Sequence, residues 1–348
     1  MNDSFMLTLK QKLDQCIDEF SSVRHMYCRN PESDFTRTRK LSFSDVVHFL
    51  IEMHSKSLPN EVMDYFGHNL ETPTVSALIQ QRDKILPSGW EYLFTLFRDE
   101  CTGVYDPLYQ GYRLLACDGS DVNITRDPDD SETFIAEGEA GYNAIHINAL
   151  YNPLSLTYHS MNFQGKKKLH ERSALNQMVD AYASSIPTIF IADRGYESFN
   201  VFAHILRRGH DFIIRIKGVN SNGILGAYDL PDDEFDMSLT TTLTRRHTKE
   251  TLNNPNTYTI LSPVTDFDFF KDKKDTYEIS FRIIQFVADD GKLVCIATSL
   301  SKEEFPLEKI RELYRLRWGE ETSFRELKYT IGLINFHTRK KASIVSAF

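Results

Sequence analysis

Three acidic residues, far apart along the chain, have the local sequence that could bring them to one site. Asp118 and Asp193 each follow an apolar run and are followed within two residues by glycine, a residue that eases a turn. Glu321 lies in the segment 306–328, whose apolar residues recur at the spacing of a helix. Carboxylate oxygens are the ligands that Mg²⁺ prefers in proteins. These residues therefore predict a divalent-cation site suited to phosphoryl transfer.

Polar residues of the predicted helix 306–328 also fall on one side of it. At 3.6 residues per turn, Tyr314, Arg317, Glu321 and Lys328 span roughly 60° of the helix circumference. A carboxylate flanked by two cations and a phenol suits a phosphate-binding face better than a core. The alternative is a solvated face with ion pairs one turn apart. Trp318, on the same helix, is expected to pack in the core.

The spacing Tyr-x2-Arg-x3-Glu-x6-Lys resembles the signature of the insertion sequence 4 family of bacterial transposases. The resemblance implies a DDE transposase that cuts transposon ends and joins them to target DNA. It implies two Mg²⁺ ions, for which Mn²⁺ is expected to substitute, held by a catalytic triad of three carboxylates. The residues implied at the catalytic and metal site are Asp118, Asp193 and Glu321. The residues implied to hold DNA are Tyr314, Arg317 and Lys328.

The first part of the chain, residues 1–105, is predicted to be helical and to bind DNA. Its helices begin with small polar or basic residues, as in helix-turn-helix modules, although a plain helical bundle fits the same pattern. The segments 35–41 and 72–77 resemble the DNA-binding region of the same transposase family. We therefore expect phosphate contacts from Arg37, Arg39 and Lys40.

Beyond residue 105 the pattern predicts an α/β fold. Strands and helices alternate over 106–217 in the order strand, strand, strand, helix, strand, helix, strand, and this order resembles a ribonuclease-H-like core. Asp118 and Asp193 are placed at the ends of the first and fourth strands, which are neighbours in such a sheet. Arg194, next to the second acid, is a further DNA-binding candidate. A β-rich insertion is predicted at 218–302, and the end of the catalytic domain at 303–348.

Composition allows this function without requiring it. The chain has 348 residues and a net charge of −9, which by itself argues against binding to a polyanion. Its five cysteines have no metal-ligand spacing and predict reduced thiols in a cytosolic protein. The family resemblance implies a bacterial, cytoplasmic protein that is associated with the nucleoid when it is bound to DNA. No apolar run approaches a membrane span. The expected partners are double-stranded DNA, at terminal inverted repeats and target, and a second copy of the chain.

Alternatives remain open at several positions. Asp121 competes with Asp118 as a ligand but is expected to be a loop acid, and His170 and Glu171 could cap a helix or contact DNA. Family members continue past the position of Lys341 with a further helical region, so the alternative function is a truncated, catalytically impaired transposase that only binds DNA. A glycosidase with two carboxylates is a third possibility.

Overall fold

The structure is a computed structural model that describes residues 3–37, 40–54, 56–219, 221–226, 228–330 and 344. The helices are α1 Asp3–Ser22, α2 Phe43–Glu52, α3 Leu58–Phe66, α4 Val75–Arg82, α5 Pro87–Val104, α6 Glu171–Ala181, α7 Phe199–Arg207, α8 Lys249–Asn253, α9 Leu307–Leu316 and α10 Trp318–Arg325. The strands are β1 Arg113–Ile124, β2 Phe134–Ile135, β3 Tyr142–Asn152, β4 Thr157–Gly165, β5 Thr188–Ala192, β6 Asp211–Ile216, β7 Phe235–Thr244, β8 Tyr258–Ile260, β9 Thr276–Val287 and β10 Leu293–Thr298.

The N-terminal region is helical, as predicted, and has a core of its own. Helices α1 to α5 pack around buried side chains such as Phe20, Phe43 and Phe49. Ser42 caps α2 with a reciprocal capping box, which satisfies backbone N–H groups that the first turn leaves free. The segment 72–77 predicts a helix capped by Thr72 with Pro73 in its first turn, but this start is wrong, because Thr74 accepts the capping hydrogen bond and α4 begins after it.

The rest of the described chain is built on one mixed sheet of ten strands. Its order is β2-β3-β1-β5-β6-β10-β9-β7-β8, with β4 also paired to β3. The α/β prediction is therefore confirmed as a mixed fold with a large sheet. Strand β1 pairs in parallel with β5 and antiparallel with β3, so the two strands that precede Asp118 and Asp193 are neighbours, as expected.

Strand β1 is longer than the sequence suggests. The predicted strand ends at Asp118, whereas β1 continues to Ile124 because β3 pairs with it along that length. On its other side the pairing with β5 stops at Cys117 and Ala192. Asp118 therefore lies inside a strand, at the point where one of its two neighbours ends.

The predicted β-rich insertion contains the four strands β7, β8, β9 and β10. Strand β10 pairs with β6, so the insertion extends the sheet of the preceding segment. Strand β7 pairs with β9 along its whole length and reaches the far edge of the sheet with β8. The domain boundaries at 105, 217 and 302 remain predictions.

The predicted helix 306–328 is interrupted. Helix α9 ends at Leu316, Arg317 stands between the helices, and after α10 a single π-helical turn covers Glu326–Thr330. Hydrogen bonds from residue i to i+3 surround the break, with Arg317 N bonded to Tyr314 O at 3.2 Å. Such tighter turns change the rotation of the chain relative to a continuous α-helix.

The buried core is divided between the two faces of the sheet. Helices α6 and α7 cover one face with residues such as Leu175 and Phe202. Helix α9 covers the other face, where Ile310 and Leu313 pack against β1, β5 and β6. Within the described part of the chain, no helix combines the length and apolar composition that a membrane span requires.

Candidate active site

Arg317 is the centre of the charged cluster where α9 and α10 meet β1. Its Nη1 lies 3.3 Å from Asp118 Oδ2, and its Nη2 lies 2.8 Å from Glu321 Oε1. The side chain is only 4% exposed and packs against the rings of Tyr314 and Trp318. One guanidinium therefore bridges two of the three predicted catalytic carboxylates.

Asp193, the remaining acid of the predicted triad, lies beside the same cation but is bound by a different residue. The Tyr314 hydroxyl donates a hydrogen bond to Asp193 Oδ1 at 3.1 Å. Arg215, on β6, approaches the same oxygen at 3.9 Å. Two residues of the predicted stripe, Tyr314 and Arg317, thus contact the predicted acids, of which Glu321 belongs to the stripe itself, although the helix that carries them is interrupted.

The charges of the cluster act on one another. Burial raises the pKa of Asp118, and the charges of Glu321 and Asp193 act in the same direction. The backbone N–H of Gly119, which donates to Asp118 at 2.8 Å, and the Arg317 guanidinium oppose this rise in pKa. Glu321 and Asp193 are therefore close enough to Asp118 for their charges to act on it.

The pKa of Asp193 is shifted in the opposite direction from that of Asp118. Its burial would raise its pKa, but the backbone N–H of Arg194, the Arg317 charge and the Tyr314 hydroxyl together lower the pKa of Asp193. Burial and the charge of Asp193 raise the pKa of Tyr314 to about 12. Tyr314 is therefore a phenol at neutral pH, which can donate its proton to an anion.

Lys328, the last residue of the stripe, contacts β1 directly. Its Nζ lies 2.6 Å from the backbone oxygen of Asp121 and also bonds Ser120 Oγ. Burial lowers the pKa of Lys328. The lysine thus lies along β1 just past Asp118.

The donor set fits hard divalent cations, but the acids do not form a ligand group as they stand. In the described part of the chain, no three His, Cys, Asp or Glu side chains are arranged to hold a metal ion. The reason is visible at Arg317, whose positive charge lies between Asp118 and Glu321. The Arg317 guanidinium compensates the negative charges of Asp118 and Glu321. All three predicted ligands supply carboxylate oxygens, which hard divalent cations prefer.

Glu320, beside the predicted acid Glu321, is a residue that the sequence did not single out. It is fully buried, and neither of its carboxylate oxygens has a hydrogen-bond partner among the described residues. Burial and the nearby charge of Asp118 raise its pKa well above the ordinary value. We therefore expect Glu320 to be protonated and not to hold a cation.

A second polar cluster lies on the other face of β1. His146 Nδ1 lies 2.6 Å from Asp121 Oδ1, and Lys166 Nζ lies 2.6 Å from Asp121 Oδ2. The other ring nitrogen, Nε2, is 3.3 Å from Glu171 Oε1. Asp121 was expected to be a loop acid, but it lies within β1 and is paired. Only the position of Glu171 at the start of α6 was visible in the sequence.

Of the other predicted DNA-binding residues, Arg194 follows Asp193 directly, whereas Arg37 and Lys40 lie in the helical N-terminal region. Arg194 is exposed in the turn after Asp193. Arg37 is exposed in the N-terminal region, where Lys40 Nζ lies 3.1 Å from both Leu70 O and Glu71 Oε2. Arg39 lies outside the described residues. Trp318 is 59% exposed, so the expectation that it packs in the core is wrong.

Comparison with known proteins gives a family and several solved structures. The chain is similar to a solved structure described as a cryo-EM structure of a piggyBac transposase synaptic complex with hairpin DNA. The identity is 11% and the TM-score 0.45, over 99% of this chain and 72% of that one. No curated protein matches.

The family comparison is more extensive. The model of the family described as transposase DDE domain matches residues 109–348, which include every strand and the charged cluster around Arg317. This match covers well over half of the chain, and the protein therefore belongs to the transposase DDE domain family.

Proposed function

We propose that the chain is a DDE transposase of the insertion sequence 4 type, which cuts the ends of a DNA element and joins them to target DNA. The observation that carries the proposal is the bridge from Arg317 to Asp118 and Glu321 within the matched family domain. A buried cation between two acids that come from β1 and α10 marks a site where a divalent cation and a phosphate could replace existing charge contacts.

The acids would hold the divalent cations. Asp118 and Asp193 come from the two neighbouring parallel strands of the sheet, and Glu321 comes from α10. The order of strands and helices that positions them supports a ribonuclease-H-like core. When bound, two Mg²⁺ ions would stabilise charge on the attacking and leaving oxygens of a phosphodiester. Mn²⁺ is expected to substitute for Mg²⁺.

The basic residues would hold the DNA backbone. Arg317 can offer a forked donor to a phosphate, and Lys328 a point charge. Tyr314, whose raised pKa keeps it a phenol, can donate a hydrogen bond to a phosphate oxygen. Arg194 is exposed beside Asp193, where passing DNA could reach it. In the N-terminal region, Arg37, Arg39 and Lys40 would contact duplex phosphates.

The reaction would begin with water as the nucleophile and continue with the freed 3′ hydroxyl. Both steps are in-line displacements at phosphorus, and both need the same positioning of phosphate against the acids. Because two DNA ends must be cut and joined, the chain is expected to act as a homodimer on terminal inverted repeats.

The test is Glu321→Gln with DNA that carries the inverted repeats flanking the gene. Glutamine keeps the shape of the side chain and its contact with Arg317 but removes the anionic oxygen. We expect cleavage in Mg²⁺ to fall by at least 100-fold, with DNA binding retained. Glu303→Gln, an exposed residue before α9, is the matched control.

Two outcomes contradict the proposal. Unaltered cleavage by Glu321→Gln would show that Glu321 is not part of the reaction. Binding to the repeats by the unmodified chain, without metal-dependent nicking under any condition, would support the alternative of a protein that only binds DNA.

A further inference from the structure

The sheet has an opening beside the predicted active site. Strands β1 and β5 pair only as far as Cys117 and Ala192, whereas β1 continues to Ile124. From Asp118 onward, the edge of β1 that faced β5 has no partner strand among the described residues. Side chains from either face of the sheet can therefore reach this edge.

Glu171 lies at this opening. Its Oε1 lies 3.3 Å from where a Cβ atom of residue 119 would stand, and its Oε2 lies 3.3 Å from the same position at residue 195. Gly119 follows Asp118 directly, and Gly195 comes two residues after Asp193. One carboxylate thus lies between the chain segments that carry two of the predicted metal ligands.

The two glycines leave the space that this carboxylate needs. A Cβ at Gly119 would come within 2.2 Å of His146 Nε2, a contact that the buried ring cannot relieve without moving. At Gly195 the nearest atom to an added Cβ is Glu171 Oε2. The Asp-Gly and Asp-Arg-Gly sequences are therefore explained by the approach of Glu171 and His146, and not only by turn geometry.

A chain of charged contacts fixes the position of Glu171. Lys166 binds Asp121 at 2.6 Å, Asp121 binds His146 at 2.6 Å, and the far ring nitrogen of His146 lies 3.3 Å from Glu171. His146 is nearly buried, so its ring has little freedom to turn. On α6 the next residue, Arg172, donates to Gly195 O at 2.9 Å and holds the helix against the turn after Asp193.

The free oxygen of Glu171 has no such fixed partner. Its Oε1 faces His146, whereas Oε2 faces the turn at Gly195 and has no hydrogen bond or ion pair to another described side chain. The side chain is 34% exposed, so solvent and ions can reach it. A carboxylate held through one oxygen and open at the other has the form of a metal ligand with a supporting residue behind it.

We propose that Glu171 is a fourth carboxylate of the catalytic centre, which offers Oε2 to the divalent cation beside Asp118 and Asp193, and that His146 is its positioning residue. This inference rests on the proposed function and adds a ligand to it. A structural role alone, in which Glu171 only anchors His146, needs a hydrogen-bond acceptor but no negative charge.

The test measures Mn²⁺ binding to the full chain by isothermal titration calorimetry, without DNA. Glu171→Gln keeps an acceptor for His146 and removes the charge. We expect the dissociation constant for Mn²⁺ to rise about 10- to 100-fold, the range seen when residues around a metal are altered. Glu171→Asp keeps the charge but shortens the side chain and should give an intermediate value. Glu308→Gln, also in the first turn of a helix, is the control and should match the unmodified chain.

The outcomes separate this inference from the proposed function. If Asp118→Asn loses Mn²⁺ binding but both Glu171 variants bind as tightly as the unmodified chain, Glu171 is not a ligand and the proposed function stands. If the unmodified chain binds no Mn²⁺, either alone or in complex with DNA that carries the repeats, both are overturned. A Glu171→Gln variant that binds Mn²⁺ more weakly but melts at the same temperature as the unmodified chain supports the ligand role, because loss of an anchor that needs only an acceptor would leave Mn²⁺ binding unchanged.

Discussion

Replacing Arg317 by methionine tests the bridge between the acids. The guanidinium is 4% exposed and contacts Asp118 at 3.3 Å and Glu321 at 2.8 Å. Removing one partner of a buried ion pair costs about 3–5 kcal/mol, because the other partner is left buried and uncompensated. The side chains of Asp118 and Glu321 are 23% and 39% exposed, so water recovers part of this cost.

We therefore expect Arg317→Met to lose about 3 kcal/mol of unfolding free energy in the absence of divalent cations. In a domain of 150–250 residues, such a loss lowers Tm by roughly 6–12 °C. Arg315→Met is the matched control, because Arg315 lies two residues away in the last turn of α9, is 61% exposed and pairs with Asp289 at the surface. Its effect should stay within about 0.5 kcal/mol.

The assay is thermal denaturation with and without Mn²⁺. A cation that binds only the folded chain stabilises it by about 2.7 kcal/mol at 100 times its dissociation constant. In Arg317→Met the acids no longer have a cation of their own, so Mn²⁺ should raise Tm more than it does in the unmodified chain. At saturating Mn²⁺ the two proteins should differ less than they do without it.

Two results would refute this reasoning. A variant with unchanged Tm would mean that the bridge contributes nothing to stability. A variant that is destabilised but gains no more from Mn²⁺ than the unmodified chain would mean that the guanidinium and the divalent cation do not compete for the same acids.

Three further changes test the surroundings of the site. Gly119→Ala should lower the free energy of unfolding by about 1–3 kcal/mol and abolish most of the cleavage activity, since the added Cβ meets the buried His146 ring. The control is Gly103→Ala in α5, which has open space around it and should leave the thermal stability unchanged or raise it. Asp236→Asn should lower the free energy of unfolding by about 2–4 kcal/mol at pH 7, because it breaks the pair with the buried Arg282. The Arg282 hydrogen bond lowers the pKa of Asp236, so this contribution is present above the ordinary pKa of 3.8 and is lost as the pH falls below it. The stabilities of the variant and the unmodified chain should therefore converge in acid denaturation. Lys328→Ala should reduce the slope of log binding constant against log salt by about one, measured with duplex DNA, if the lysine contacts a phosphate.

Elements whose signal is local were predictable from the sequence. The apolar run of β5 ends at Ala192, and the following Asp193 lies outside the strand, as expected. Helix α7 begins after Ser198, whose side chain caps it. In both cases the residues that decide the boundary are adjacent in the chain, so a pattern of neighbours suffices.

Elements decided by distant partners were not predictable in the same way. The apolar run before Asp118 says nothing about β3, yet pairing with β3 extends β1 to Ile124. The periodicity of 306–328 is helical throughout, yet the helix is interrupted at Arg317. The Arg317 side chain forms an ion pair with Asp118 on β1. The alternation in β7 at Phe235, Met237 and Leu239 was a usable signal that the acidic stretch before it obscured.

In the candidate site, too, local sequence signals were predictive and contacts between distant segments were not. The spacing of Tyr314, Arg317, Glu321 and Lys328 identified a face that does meet the predicted acids. The sequence could not show Glu171 beside Gly119 and Gly195, because that contact depends on how α6 lies against the opening in the sheet. The available signals were the position of Glu171 at the start of a predicted helix and the glycine directly after Asp118, which by itself predicts a turn.

The net charge of −9 and the proposed binding of a polyanion are reconciled by the pairing of charges at the site. Arg317 is neutralised by Asp118 and Glu321, and Lys166 by Asp121, in the chain without divalent cations. Arg317 and Lys166 can attract a phosphate only when another cation binds the carboxylates with which they are paired. In the proposed function, a divalent cation that binds the acids releases Arg317 for DNA, and a phosphate that binds Arg317 frees the acids for the cation. Binding of the two ligands must then be coupled, each raising the affinity for the other by the same factor.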